Sequence, residues 1–297
     1  MKYFIVSDTH SFYRPLKTCL KQAGYDINNP EHIFVLNGDL FDRGDEASEI
    51  LNFVRNIPKE RRILIRGNHE YLLKDLVMKF EPSAHDWSNG SVFTVYQLFK
   101  ANHPKTHIFD GYESYKKETA EYFKQNKYIE VQKFNSYFSY NSYDTWNLVS
   151  NDLLRSGLLD WIFGDEWVNY FELDKYIITH SFIPLHNPEW RTNSTEKQWI
   201  NASWGCPYEQ FEVGCFDDEI KNGKILVCGH WHASDFHWFF EDVKNNNNIY
   251  FGDNLIATDA CTVLTGIVNV LVIDEKFNCY DRFGELLTKE RSQTFLK

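Results

Sequence analysis

The stretch Ile33-Phe34-Val35-Leu36-Asn37-Gly38-Asp39-Leu40-Phe41-Asp42-Arg43-Gly44 passes from an unbroken apolar run into a loop that carries two carboxylates and a guanidinium between glycines. The run reads as a buried strand, and the glycines let the backbone turn sharply and approach a ligand closely. Asp39 and Asp42 are hard oxygen donors, and Arg43 is a planar fork suited to phosphate oxygens. A turn with solvated charges would look the same in isolation, so the neighbouring segments decide the reading.

On the N-terminal side, Tyr3 to Ser7 is a short apolar run ending at Asp8-Thr9-His10. Helical spacing of Leu16, Cys19, Leu20 and Ala23 predicts a helix over Arg14 to Ala23, stopped by Gly24. On the C-terminal side, Ala47, Ile50, Leu51 and Val54 predict a helix over Glu46 to Asn56, closed by Pro58. Ile63-Leu64-Ile65 then delivers Arg66-Gly67-Asn68-His69-Glu70. The order βαβαβ, with polar residues after each strand, predicts an α/β sheet with helices on its faces and a site along one edge.

From about residue 80 to 167 the pattern is less regular, and aromatics such as Trp87, Phe93, Tyr96, Phe99, Tyr112, Tyr137 and Trp146 crowd in. We expect a mainly helical lobe inserted into one domain spanning 1–297, with ordinary packing and a lid role both open. His85, His103 and His107 fall there and read as surface or core histidines. Strand signals return at Tyr176 to Thr179, before His180-Ser181, and at Ile225 to Cys228, before Gly229-His230-Trp231-His232. Pro184 to Phe216 reads as a long surface loop bordering the site. Asn254 to Ala257 and Ile267 to Ile273 read as a closing strand pair, and Asn245 to Asn248 as a hairpin tip.

Composition narrows the functional classes. A net charge of -11 argues against an extended nucleic-acid surface or an anionic membrane partner. No apolar stretch approaches the roughly 18 to 20 residues of a spanning helix, and the apolar run at the N-terminus is too short for a signal peptide, so a cytoplasmic protein is expected. Six cysteines without a C-x-x-C pair read as reduced buried thiols, with a Cys206–Cys215 bridge as the minor alternative.

Five strand ends therefore carry Asp8 and His10, Asp39, Asn68, His180, and His230 with His232. A single histidine after a strand is usually structural, but parallel-type sheets bring such ends together. Seven donors, one of them bridging, provide four ligands to each of two ions. Imidazole and carboxylate without thiolate favour Mn, Fe, Zn, Co or Ni. Two divalent ions offset by Asp8 and Asp39 leave a site positive by two before Arg43 is added, which suits a phosphoryl group. Paired ions share a hydroxide and clamp an in-line displacement. His69 is placed to protonate the leaving alkoxide, with Asp42 holding its ring.

Asp8-x-His10, Gly38-Asp39-x-x-Asp42-Arg43-Gly44, Gly67-Asn68-His69-Glu70, His180 and Gly229-His230-x-His232 resemble the signature of the calcineurin-like metallophosphoesterases. The form is similar to the branch of serine/threonine phosphoprotein phosphatases and symmetrical diadenosine tetraphosphatases. The resemblance covers about 1–75 and 170–275; the 111 positions from His69 to His180 exceed what that branch leads one to expect.

It implies a four-layer α/β/β/α sandwich and a binuclear centre. One ion is implied at Asp8, His10, Asp39 and His232, the other at Asp39, Asn68, His180 and His230. Catalytic roles fall to His69, Asp42 and Arg43, and substrate contacts to Arg43, Arg66 and Asn68, with a salt-bridge role open for Arg66. Asp259 resembles the aspartate of a late Asp-Thr-Gly segment, but Ala260-Cys261 departs from it and no catalytic role is assigned.

The expected function is binuclear hydrolysis of phosphomonoesters, on proteins or small molecules, by a metal-bridging hydroxide with His69 as general acid. Dinucleoside polyphosphate hydrolysis, phosphodiester hydrolysis and a non-catalytic metal-binding scaffold are the alternatives. Two histidines in the last loop, where eukaryotic phosphoprotein phosphatases usually present one, argue against strict phosphoprotein specificity. Manganese is the first choice of metal, and the oligomeric state is left open.

Overall fold

The computed structural model describes residues 1–79, 81–106, 142–185, 187–212, 220 and 223–288. Three parallel strands, β1 (Lys2–Val6), β2 (His32–Asn37) and β3 (Arg62–Ile65), form the centre of a six-stranded sheet ordered β11-β10-β1-β2-β3-β4. Here β4 is Trp167–Val168, β10 Leu271–Ile273 and β11 Cys279–Tyr280. A second, five-stranded sheet has the order β5-β6-β7-β9-β8, from Tyr170–Leu173, Tyr176–Thr179, Ile225–His232, Leu255–Asp259 and Tyr250–Phe251. Its three inner strands β6, β7 and β9 are again parallel.

Side chains alternate across each strand, and the alternation sorts the core into layers. Ile5, Ile33, Val35, Ile65, Leu271 and Ile273 from the first sheet meet Tyr176, Ile178, Ile225, Val227 and Ile256 from the second in one apolar cluster. Phe4, Val6, Phe34, Leu36 and Leu64 point the other way, into a cluster with α1 (Tyr13–Gln22), α2 (Ala47–Asn56) and α3 (Asn68–Val77). The opposite residues of the second sheet, Ile177, Leu226, Cys228, Leu255 and Ala257, pack under Phe236 and Trp199. The layers are thus helices, sheet, sheet, helices.

The described part of 80–167 contains α4 (Ala84–Ser88), α5 (Ser91–Asn102), α6 (Ser142–Arg155) and α7 (Leu158–Phe163). Val92, Val95, Leu98, Trp146, Val149 and Ile162 join the same cluster as α1 to α3, so these helices extend an existing layer. His85 is exposed, and His103 is exposed and bonds Asp152 at 2.9 Å. His107, Tyr112 and Tyr137 lie outside the described residues.

Three expectations for the C-terminal half are corrected. Pro184 to Phe216 is no plain surface loop: it holds α8 (Glu196–Ser203) and α9 (Pro207–Glu212), and it buries Trp190 and Trp199 against the second sheet. The two tail strands do not pair with each other. β9 joins the second sheet and β10 the first, and the two contribute Ile256, Leu271 and Ile273 to the one apolar layer between the sheets. Asn245 to Asn248 connects α10 (Ala233–Glu241) to β8 rather than capping a hairpin. α11 (Thr262–Thr265) follows β9. Cys19, Cys206, Cys228, Cys261 and Cys279 are free and buried, and Cys215, the alternative partner of Cys206, is outside the described residues.

Candidate active site and metal centre

Because β1 to β3 are parallel and β6, β7 and β9 are parallel, each sheet brings its carboxyl ends to one edge, and the two edges meet. Asn37 Nδ2 donates to Thr179 O at 2.9 Å, the His230 N–H donates to Asp8 Oδ2 at 2.9 Å, and Ser7 Oγ lies 2.9 Å from Thr258 Oγ1. The register of β7 against β9 breaks between Cys228 and His232, an irregularity of the kind that re-aims side chains next to functional sites. Seven non-glycine residues here take positive φ: Asp8, His10, Ser11, Asp39, Asp42, Arg43 and His230. Such backbone costs on the order of 1 kcal/mol or more per residue, less for Asp, and persists where the surroundings over-determine it.

Asp39 is the hub. Its Oδ2 lies 3.8 Å from His10 Nε2 and 3.9 Å from His69 Nε2, whereas its Oδ1 lies 3.3 Å from His180 Nε2 and accepts the His69 N–H at 3.0 Å. Two groups of converging donors share it: His10, Asp39 and His69, and Asp39, His180 and His230. Glu70 fixes the loop by accepting from the N–H groups of Asp39 (3.0 Å), Leu40 (2.9 Å) and Gly67 (2.7 Å). Gly67 must be glycine, since a Cβ there would run into Asp39 Oδ1.

The donor chemistry fits cations. His10 spends its Nδ1–H on Phe41 O and His180 spends its own on Asn37 O, each at 3.0 Å. In its neutral form each ring then presents an Nε2 lone pair, the pattern of metal-ligating histidines. His180 Nε2 lies 2.8 Å from Asn68 Oδ1 and 3.3 Å from Asp39 Oδ1, so with the ring neutral three acceptors face one another, while Asn68 Nδ2 is buried without a partner. Burial, then Arg43 and His69, hold the His10 pKa well below its usual value. Burial, then His180, lowers that of His230 to about 2. Asp39 moves the other way, pushed well up by burial against the opposing effect of His69. Neutral imidazoles around a buried carboxylate form a nest that a divalent cation relieves on both counts.

Asp8 and His232 belong to neither converging group. Asp8 is buried beside Gly229, and the His232 ring is 3.9 Å from Asp259 Oδ2 and 38% exposed at its side chain. A hydrogen bond with Cys261 raises the His232 pKa ahead of the opposing burial.

His69 Nδ1 donates to Asp42 Oδ2 at 2.6 Å, and Arg43 Nη2 lies 3.3 Å from His69 Nε2. Burial opposes the charged ring, but Asp39 and the Asp42 hydrogen bond outweigh it, so the His69 pKa is raised. Arg66 is bonded within the fold. Its guanidinium donates to Ile162 O (2.9 Å), Gly164 O (2.9 Å) and Asn169 Oδ1 (3.2 Å), which fastens α7 to the end of β3.

Four more residues lie at this edge: Asp259, which the sequence reading named without giving it a catalytic role, and Trp204, Ser91 and Thr94, which it did not single out. Asp259 is a buried carboxylate whose pKa is pushed well up by burial and by Asp8. Trp204, 43% exposed, sets its ring 5.4 Å from that of His230. Ser91 and Thr94 on α5 contact Asp42. Only Asp259 had a local signal, the strand end before it.

A sequence profile described as calcineurin-like phosphoesterase matches residues 1–234. The chain belongs to the calcineurin-like phosphoesterase family. As a member it is a hydrolase acting on phosphoester bonds, the family uses divalent metal ions, and the scaffold alternative is set aside. Its relatives include the symmetrical bis(5'-nucleosyl)-tetraphosphatase of Buchnera aphidicola subsp. Baizongia pistaciae (strain Bp), 22% identical over 294 residues, 93% of this chain and 96% of that protein. The enzyme of the same name from Proteus mirabilis (strain HI4320) is 32% identical over 79 residues, and that match spans 28% of its length and 27% of this chain. Among solved structures, a cold-active protein tyrosine phosphatase superposes with a TM-score of 0.50 at 15% identity, covering 97% of this chain and 78% of that one, a likeness of fold. Among the described residues, no helix of this calcineurin-like phosphoesterase is long and apolar enough to cross a membrane.

Proposed function

We propose that this calcineurin-like phosphoesterase is a binuclear enzyme that hydrolyses phosphomonoesters, of proteins or small molecules, with His69 as the proton donor to the leaving oxygen. The observation that carries the reading is the Asp39 carboxylate, each of whose oxygens faces a separate group of imidazoles. His10, Asp39, Asn68, His180 and His230, with Asp8 and His232 at the margin, would hold two divalent ions, manganese first among them. When bound, such ions supply Lewis acidity and a nucleophilic oxygen at neutral pH. Arg43, exposed at the loop tip, binds phosphate oxygens with its fork. As the P–O bond breaks, the leaving oxygen takes the proton of His69 Nε2 while Nδ1–H stays on Asp42.

One catalytic domain over 1–297 is supported by the core that the helices of 80–167 share with α1 to α3. Cytoplasmic residence is supported by the free, buried cysteines. The second reading is a dinucleoside polyphosphate hydrolase, favoured by the Buchnera relative that matches along 93% of the chain. Hydrolysis of nitrophenyl phosphate, bis(nitrophenyl) phosphate and diadenosine tetraphosphate by one manganese-reconstituted sample ranks the readings. The highest kcat/KM is expected on the monoester; a clear lead for the dinucleotide establishes the second reading, and a clear lead for the bis-ester contradicts both.

A further inference from the structure

α5 comes from a segment that carries none of the signature motifs, yet its first two turns are built around the loop of Asp42 and Arg43. Ser91 Oγ donates to Asp42 Oδ2 at 2.6 Å and Thr94 Oγ1 donates to Asp42 Oδ1 at 2.8 Å, and Ser91, Thr94 and Asp42 are all fully buried. Thr94 Oγ1 also accepts the Asp42 N–H at 2.9 Å, so one hydroxyl closes a ring between the backbone and the carboxylate of the same residue. Gly90, the residue before α5, takes φ +80 and seats the helix start on Arg43, where a Cβ would meet the Arg43 backbone. Farther along, Gln97 Oε1 accepts the Ala47 N–H at 2.8 Å and Gln97 Nε2 donates to Gly44 O at 3.0 Å.

Asp42 Oδ2 is thus shared between His69 Nδ1–H and Ser91, while Oδ1 belongs to Thr94. A carboxylate offers about four acceptor positions in its plane. With a single partner it would be free to rotate, and the imidazole it holds would rotate with it.

We propose that Ser91 and Thr94 are positioning residues for proton donation: they fix the plane of the Asp42 carboxylate and thereby aim His69 Nε2 at the leaving oxygen. The proposal rests on the reading of His69 as proton donor. In that step an oxygen of water bonds to phosphorus, the P–O bond to the leaving group breaks with its electron pair staying on the leaving oxygen, the proton moves from Nε2 to that oxygen, and a proton released by the water restores His69. Aim matters most where the leaving oxygen is strongly basic. An alkoxide must be protonated as it departs, whereas nitrophenolate leaves without help. The hydroxyls of α5 therefore set which esters are cleaved well.

The test compares kcat on an alkyl monoester, glycerol 2-phosphate, with kcat on nitrophenyl phosphate, using manganese-reconstituted full-length protein. The Ser91→Ala/Thr94→Val variant is expected to lower the alkyl-to-nitrophenyl ratio by about ten-fold or more, with the metal content unchanged. Thr94→Ser, which restores the hydroxyl, is expected to stay within about three-fold of the wild-type ratio. Should the double variant misfold by circular dichroism, Ser91→Ala alone carries the test and must lower the same ratio. An unchanged ratio in the folded variants overturns the proposal. His69→Gln, run alongside, separates the two layers: if it too leaves the ratio unchanged, the proton-donor reading has failed, and if it alone lowers the ratio, only the role of α5 has failed.

Discussion

At the residue scale, Asp39 and His69 lie side by side with different partners. Asp39 is buried, bonded through its backbone to Glu70 and flanked by imidazoles on both oxygens. His69 shares the same space but is oriented by Asp42, and its pKa is raised where those of His10 and His230 are lowered. On the function proposed above, that contrast gives the proton to His69 and the lone pairs to the others. His69→Gln is expected to lower kcat on an alkyl phosphate by about 10²- to 10⁴-fold while the protein keeps its metal, as measured by elemental analysis beside the assay. A loss of metal equal to the loss of rate would place His69 among the ligands instead. These roles follow Gly38-Asp39-x-x-Asp42-Arg43-Gly44 and Gly67-Asn68-His69-Glu70, where a strand end, a glycine and a carboxylate stand adjacent in sequence. Ser91 and Thr94 were illegible, because a hydroxyl in an aromatic-rich helix gives no local sign of the carboxylate it will meet.

At the element scale, βαβαβ was readable because buried parallel strands are continuous apolar runs that end abruptly. The region after Pro184 was less so, although its signal was present. Thr195 and Gln198 form a capping box in which Thr195 Oγ1 accepts the Gln198 N–H at 3.3 Å and Gln198 Oε1 accepts the Thr195 N–H at 2.9 Å. Abundant Trp, Asn and Pro masked it. This segment is tied down by Glu172 on β5, which accepts from Arg191 and from Lys224 at 2.8 Å. Burial opposes the Glu172 carboxylate, but these bonds outweigh it and hold its pKa below the usual value. A depressed folded-state pKa means stability that is present above the ordinary carboxylate range and lost as the pH falls through the folded value. Glu172→Gln is expected to melt below wild type at pH 7 by an amount worth no more than about 1 kcal/mol, since the pair is partly solvated. The difference should shrink as the pH falls below the ordinary carboxylate range and through the folded value. A gap that does not shrink with falling pH would show that packing, not charge, is responsible.

At the scale of the whole molecule, two sheets bury one face against each other and bring their carboxyl edges to a common line. The donors come from both sheets: His10, Asp39 and Asn68 from the first, His180 and His230 from the second. The site therefore exists only when the sheets pack, and cross-sheet bonds such as Asn37 to Thr179 make that packing part of the site. Alternation identified the last strands but not their partners, so β9 and β10 looked like a pair although they belong to different sheets. Pairing is set by distant faces, which a local pattern does not contain.

Asp39, with one carboxylate oxygen toward each of two groups of donors, is the residue that would be shared by two ions on the proposed function. Elemental analysis and phosphatase assay on the same preparations test this directly, comparing wild type, chelated wild type and Asp39→Ala. The prediction is two divalent ions per chain in active wild type, no activity after chelation with recovery on adding Mn²⁺, and loss of both metal and activity in Asp39→Ala. Full activity in metal-free wild type, or an Asp39→Ala protein that keeps both ions, would contradict it.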